Sequence, residues 1–177
     1  HLSFNFGLPI VNKDQLRHEV KENLMLSNIN NPKALSRFEE LSKTVHNQVF
    51  STGISIILDR SVDRKWGILK QDLIKYGYEW FLISFDYSSE FMSKLYIATN
   101  RQWAVAQLDA YDKQHQDFLK NYSRDVNLHL EDADFTNRVK ICVNAVDRWI
   151  KAGWFSIILK QFLSASGGIG RHASLRS

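Results

Sequence analysis

Apolar positions along the chain alternate between two periods. Leu8 to Val11 is a short apolar run that reads as a buried strand. It is followed at once by Asn12, a candidate helix N-cap, and by Leu16, Val20 and Leu24 at helical spacing. After Pro32 the helical period returns through Leu35, Phe38, Leu41, Val45 and Val49, and Gly53 stops it. Ile54 to Leu58 is almost purely apolar and rich in β-branched residues, the make-up of a strand covered on both faces. It ends in Asp59 and Arg60. Trp66, Leu69 and Leu73 then mark a helix over 63–76 that Gly77 closes. Tyr78 to Phe85 is a third strand ending at Asp86, and Val126 to Leu130 a fourth. Between them, residues 88–121 form a long polar and aromatic helical region. Val139, Val143, Val146 and Ile150 place a helix over 136–150. Strands alternating with helices predict an α/β protein, a three-layer α/β/α arrangement around a mostly parallel sheet. No repeat or linker divides the chain, so residues 1–177 are expected to form a single domain.

Three strands end in a polar or acidic residue: Asn12, Asp59 and Asp86. Open α/β sheets bind their ligands at the carboxyl ends of their strands, which makes this edge the candidate site. Turns favour Asp for their own reasons, and that plain alternative stands beside it. Asp59 is the stronger candidate, because the apolar run before it holds it firmly; a carboxylate there can hold Mg²⁺ through water. Asp14 and Arg17 are three apart and share a face if helical, just past the first strand. An acid and a fork-shaped cation together suit a hydroxyl that loses a proton beside a phosphate. The alternative is a capping Asp14 and a solvated Arg17.

Composition narrows the field. Hydrophobic residues are 44% and charged residues 24% of 177, ordinary for a folded chain with a substantial core. The single Cys142 excludes an internal disulfide framework and a multi-cysteine zinc site, and points to a reducing, cytoplasmic setting. Its place between Val139 and Val143 marks it as a packing residue. The longest apolar run, Trp154 to Leu159, is too short to span a bilayer, so no membrane partner is expected. The net charge of +4 resides in residues 151–177, where Lys151, Lys160, Arg171 and Arg176 meet no acid. Such an end suits phosphate, nucleic acid or a membrane surface, or is a plain basic tail. The six histidines show no pair with metal-ligand spacing beside a carboxylate, and no structural metal is predicted.

Asn12-Lys13-Asp14-Gln15-Leu16-Arg17, followed after a helix by Gly53-Ile-Ser-Ile-Ile-Leu-Asp59, resembles the P-loop kinases of the polynucleotide kinase and zeta-toxin type, an AAA-like ATPase family. The resemblance covers residues 1 to about 150. It implies an ATP-dependent phosphotransferase that moves a phosphoryl group to a hydroxyl of an unknown acceptor, with ATP and Mg²⁺ as cofactors. In that family the acid matching Asp14 activates the acceptor hydroxyl and the arginine matching Arg17 grips the acceptor phosphate. The acid matching Asp59 sits beside the magnesium. Residues 88–121 match the helical lid, with Arg101 its charge-stabilising arginine. A nucleic-acid 5′-hydroxyl, a nucleotide sugar, an antibiotic or a small metabolite all suit that acceptor, so nucleic acid enters only in this role.

The family's Gly-x-x-x-x-Gly-Lys-Ser/Thr loop does not occur in these 177 residues. The stretch from Lys160 to Ser177 is the candidate to replace it. Joined to His1, it reads as a Gly-rich loop, a helix through Leu175, Leu2 and Phe6, and then the Leu8 strand. Residues from about 155 onward are thus expected to supply a displaced first strand and phosphate loop, with Gly167, Gly168, Gly170 and Arg171 around the phosphates. Arg171 or His172 stands where the family has lysine. The alternative function is a degenerate, non-catalytic nucleotide-binding or interaction module.

Overall fold

The computed structural model describes residues 1–12, 15, 18–19, 22 and 32–165, with side chains left out at 33–35 and 154–165. Asp14, Arg17, Gly167, Gly168, Gly170 and Arg171 lie outside the described residues. The chain is mixed α/β. Its order is α1 (Leu2–Phe6), β1 (Ile10–Asn12), α2 (Pro32–Thr52), β2 (Ile57–Asp59), α3 (Trp66–Lys75) and β3 (Ile83–Phe85). Then come α4 (Ser89–Ala98), α5 (Gln102–Val105), α6 (Leu108–Tyr122), β4 (Leu128–Leu130) and α7 (Arg138–Ala165). Short 3₁₀ turns at Ser123–Asp125 and Asp132–Asn137 flank β4. The described strands form two separate parallel pairs, β1–β2 and β3–β4. Each strand is three residues long, the end of the longer apolar run that announced it.

The chain divides into two compact units, one between Ser3 and Glu79 and the other from Trp80 onward with His1 and Leu2. In the first, β1 and β2 pair in the register Ile10↔Ile57, Val11↔Leu58 and Asn12↔Asp59, with α2 in the crossover. Parallel strands require such a crossover, and the 21-residue α2 is part of it. Trp66, Leu69 and Leu73 on α3 are buried at the predicted helical spacing, together with Phe38 and Phe50 of α2. Phe50 is the aromatic hub, with ring centroids 5.4 Å from Tyr78, 5.9 Å from Tyr76 and 5.8 Å from the stacked His46. The Tyr78 hydroxyl donates to the Ile54 carbonyl at 2.9 Å, tying the α3 exit to the segment before β2. Gly77 ends α3 at φ +75, where Tyr78 N–H donates back to the Leu73 carbonyl and Gly77 N–H to that of Ile74. That left-handed C-terminal cap explains the glycine.

In the second unit, β3 and β4 pair in the register Ile83↔Leu128, Ser84↔His129 and Phe85↔Leu130. Asp86 N–H continues the ladder to the Leu130 carbonyl at 2.8 Å. Leu130, Phe118, Ala104, Cys142 and Ala145 form the buried core. Tyr87, Phe91 and Phe135 pack ring against ring beside them, with centroids 5.0 to 5.7 Å apart. The region over 88–121, expected as one long helical stretch, is three helices. Asn100 at φ +57 breaks it, a left-handed position that Asn tolerates better than most residues. α7 runs through Ala165, so residues 155–165 form the last turns of a helix where a displaced strand was expected to begin. Among the described residues, no helix is long and apolar enough to cross a membrane.

Candidate functional site

Each parallel pair carries a carboxylate at its carboxyl end, and the two are held very differently. On β1–β2, Asn12 and Asp59 face one another in register, and Asn12 Nδ2 donates to Asp59 Oδ2 at 2.7 Å. Asn12 Oδ1 accepts from the backbone N–H of Gln15 at 2.9 Å. Asn12 therefore occupies the capping position expected of it and orients Asp59 at the same time. Its amide can point only one way, since the oxygen faces an N–H and the nitrogen a carboxylate. Asp59 is exposed. Behind it, burial lowers the pKa of the Arg60 guanidinium, whose Nη1 lies 3.4 Å from His46 Nε2.

On β3–β4, Ser84 and Asp86 are two apart and share a face, and the register sets His129 opposite Ser84 on that face. Asp86 Oδ2 accepts from His129 Nδ1 at 2.5 Å. Its Oδ1 accepts from His115 Nε2 of α6 at 2.8 Å and from the Ser84 hydroxyl. A carboxylate that receives three donors is held ionised. Burial alone raises the Asp86 pKa, but the hydrogen bonds from Ser84, His129 and His115 outweigh it, and the net shift is downward. His115 stacks on Phe118, with side chain 19% exposed, against 44% for His129.

Asp86, Ser88, Glu131, Asp132 and Ala133 line an open cleft of about 370 Å³ beside this cluster. Two of its acids already serve the backbone. Asp132 accepts from Ser88 N–H at 2.8 Å and from the Ser88 hydroxyl at 2.6 Å. Ser88 Oγ in turn caps α4 by accepting from Phe91 N–H at 3.1 Å. Glu131 and Asp134 form a reciprocal capping box on the turn that follows.

Asp59 thus stands where the sequence placed it, at a strand end beside Asn12. Arg101 is exposed at the start of α5, in the unit that begins at Trp80, and its N–H donates to the Tyr96 carbonyl at 2.8 Å. The gathering of His115 and His129 on Asp86 was not anticipated. Period-two alternation is the signal that could have put Ser84 and Asp86 on one face, and the β3–β4 register would have added His129. Among the described residues, no group of three or more His, Cys, Asp or Glu is arranged to hold a metal ion. The two imidazoles take opposite oxygens of Asp86, the geometry of hydrogen bonding rather than of shared coordination. Comparison with protein-family models, with curated proteins and with solved structures finds no match.

Proposed function

We propose that the protein is an ATP-dependent phosphotransferase of the P-loop kinase type, acting on a hydroxyl acceptor, with a three-layer sheet arrangement and a helical lid. The observation that carries the reading is the β1–β2 edge, where Asn12, two residues before Asp14 in the sequence, clamps Asp59. The resemblance over residues 1 to about 150 supports it. One exposed carboxylate suits Mg²⁺, which prefers one or two carboxylates supplemented by phosphate oxygens and water. In this reading Asp59 holds the magnesium side of ATP, and the bound ion supplies charge neutralisation at the phosphates. Asp14 accepts the proton of the acceptor hydroxyl as its oxygen bonds to the γ-phosphorus and the bridging bond to ADP breaks. Arg17 anchors the acceptor phosphate, and the resemblance gives Arg101 the part of the lid arginine. Gly167, Gly168, Gly170 and Arg171 are the proposed phosphate loop.

The sequence also favours a second reading, a nucleotide-binding module without catalysis. It rests on Arg171 or His172 standing where the family's phosphate loop has lysine. Thermal shift with Mg-ATP, run beside an ATP-turnover assay on a panel of hydroxyl acceptors, separates the two. Stabilisation with turnover that Asp14→Ala abolishes supports the kinase, and stabilisation without turnover selects the module. No stabilisation by Mg-ATP overturns both, and stabilisation that Asp59→Asn leaves unchanged removes Asp59 from the nucleotide site.

A further inference from the structure

The cluster at the end of β3–β4 takes no part in the phosphotransfer reading. It has its own chemistry. A neutral imidazole has two distinct ring nitrogens, one a donor and the other an acceptor. His129 uses one: Nδ1 donates to Asp86, and among the described residues Nε2 has no hydrogen-bond partner. Because Asp86 is an acceptor only, the proton of neutral His129 must sit on Nδ1, which leaves the Nε2 lone pair available. The carboxylate is itself fixed, since Ser84 and His115 hold its other oxygen. A side chain that is 44% exposed, midway along β4, leaves that lone pair within reach of solvent and small molecules.

We propose that Asp86 and His129 form a general-base dyad. His129 Nε2 takes a proton from water or a hydroxyl, Asp86 fixes the tautomer and steadies the imidazolium, and His115 and Ser84 are positioning residues. For ester hydrolysis the balance is complete. The water proton passes to Nε2, the oxygen bonds to the carbonyl carbon, the ester C–O bond breaks, and the leaving alcohol recovers the proton. Asp86, Glu131 and Asp132 bring negative charge to the adjoining cleft, so the substrate class is a neutral or cationic hydroxyl-bearing molecule or ester.

Two measurements on the full chain test this. Long-range ¹H–¹⁵N spectra of the ¹⁵N-histidine-labelled protein at alkaline pH read each ring's tautomer directly. His129 is expected as the Nδ1–H form, and that preference should disappear in Asp86→Asn. The neutral probe p-nitrophenyl acetate should be hydrolysed about tenfold faster by the parent than by His129→Gln or Asp86→Asn, at the low end of general-base effects. The reaction should slow in D₂O, and the anionic ester p-nitrophenyl hydrogen succinate should react more slowly. An Nε2–H tautomer at His129 overturns the dyad. So does a rate indifferent to His129→Gln in a variant that melts like the parent. If neither variant folds, the tautomer in the parent still decides. Equal rates for the neutral and anionic esters overturn the assigned substrate class.

Discussion

The two strand pairs are nearly the same object in backbone terms and opposite in chemistry. Each is a parallel pair of three-residue strands joined by a helical crossover, with an aspartate at its carboxyl end. Asp59 is the last residue of its strand, exposed and steadied by one amide. Asp86 lies one residue beyond its strand and receives a hydroxyl and two imidazoles. The difference comes from what the crossover carries. α6 brings His115 to the carboxylate, and β4 brings His129 through its register, whereas the described part of the first pair offers only Asn12. A closely similar backbone edge thus yields one exposed carboxylate held by a single amide and one already engaged.

The sharpest way to break this contrast is Asp86→Asn. The amide presents a donor where the carboxylate accepted, so His129 loses its bond or turns to the other tautomer, and the charge that strengthened all three hydrogen bonds is gone. The expected cost at pH 7 is about 2 kcal/mol, the scale of hydrogen bonds to charged groups, read by urea unfolding. The pH dependence carries a second signature. Because the folded Asp86 pKa lies below its ordinary value, its contribution is present above the unfolded carboxyl pKa, about 4. It fades as pH falls through the lower folded value. The parent should therefore lose stability in that acid window, and Asp86→Asn should lose less. Equal acid slopes would remove the engaged carboxylate from the comparison.

A smaller effect is expected one turn away. Ser88→Ala removes the α4 cap and one of its two bonds to Asp132, for about 1 kcal/mol by thermal or urea unfolding. Ser88→Asn, which can still cap, should recover part of it. The smallest stability effect belongs to the other pair. Asp59→Asn should stay within about 0.5 kcal/mol of the parent, as surface substitutions usually do. Any larger cost would mean that Asp59 is as structurally committed as Asp86.

Much of this was legible in the sequence. The four apolar runs located the four described strands, Trp66, Leu69 and Leu73 named the buried face of α3, and Gly77 marked its end. Asp59 and its neighbour Asn12 followed from strand-end logic. The strands proved shorter than their runs, because apolar periodicity reports burial and does not report where ladder hydrogen bonds begin. The break at Asn100 was hidden because a single left-handed residue leaves the surrounding helical period intact. The Asp86 cluster was hidden for a different reason. His115 and His129 lie 29 and 43 residues from Asp86, and only the crossover path and the β3–β4 register bring them together. Spacing rules that look for ligands on one helix or in one loop cannot see such a convergence.

Cys142 offers a further use. It is the chain's single cysteine, 6% exposed in the packing of α7, and burial pushes its thiol pKa upward. Both properties suppress attack by a maleimide, which needs an accessible thiolate. Each labelling event therefore records one opening of that helix face, and a single mass increment counts it. The native sequence thereby contains its own stopwatch for excursions of the unit that holds Asp86, and a ligand that closes that unit should slow it.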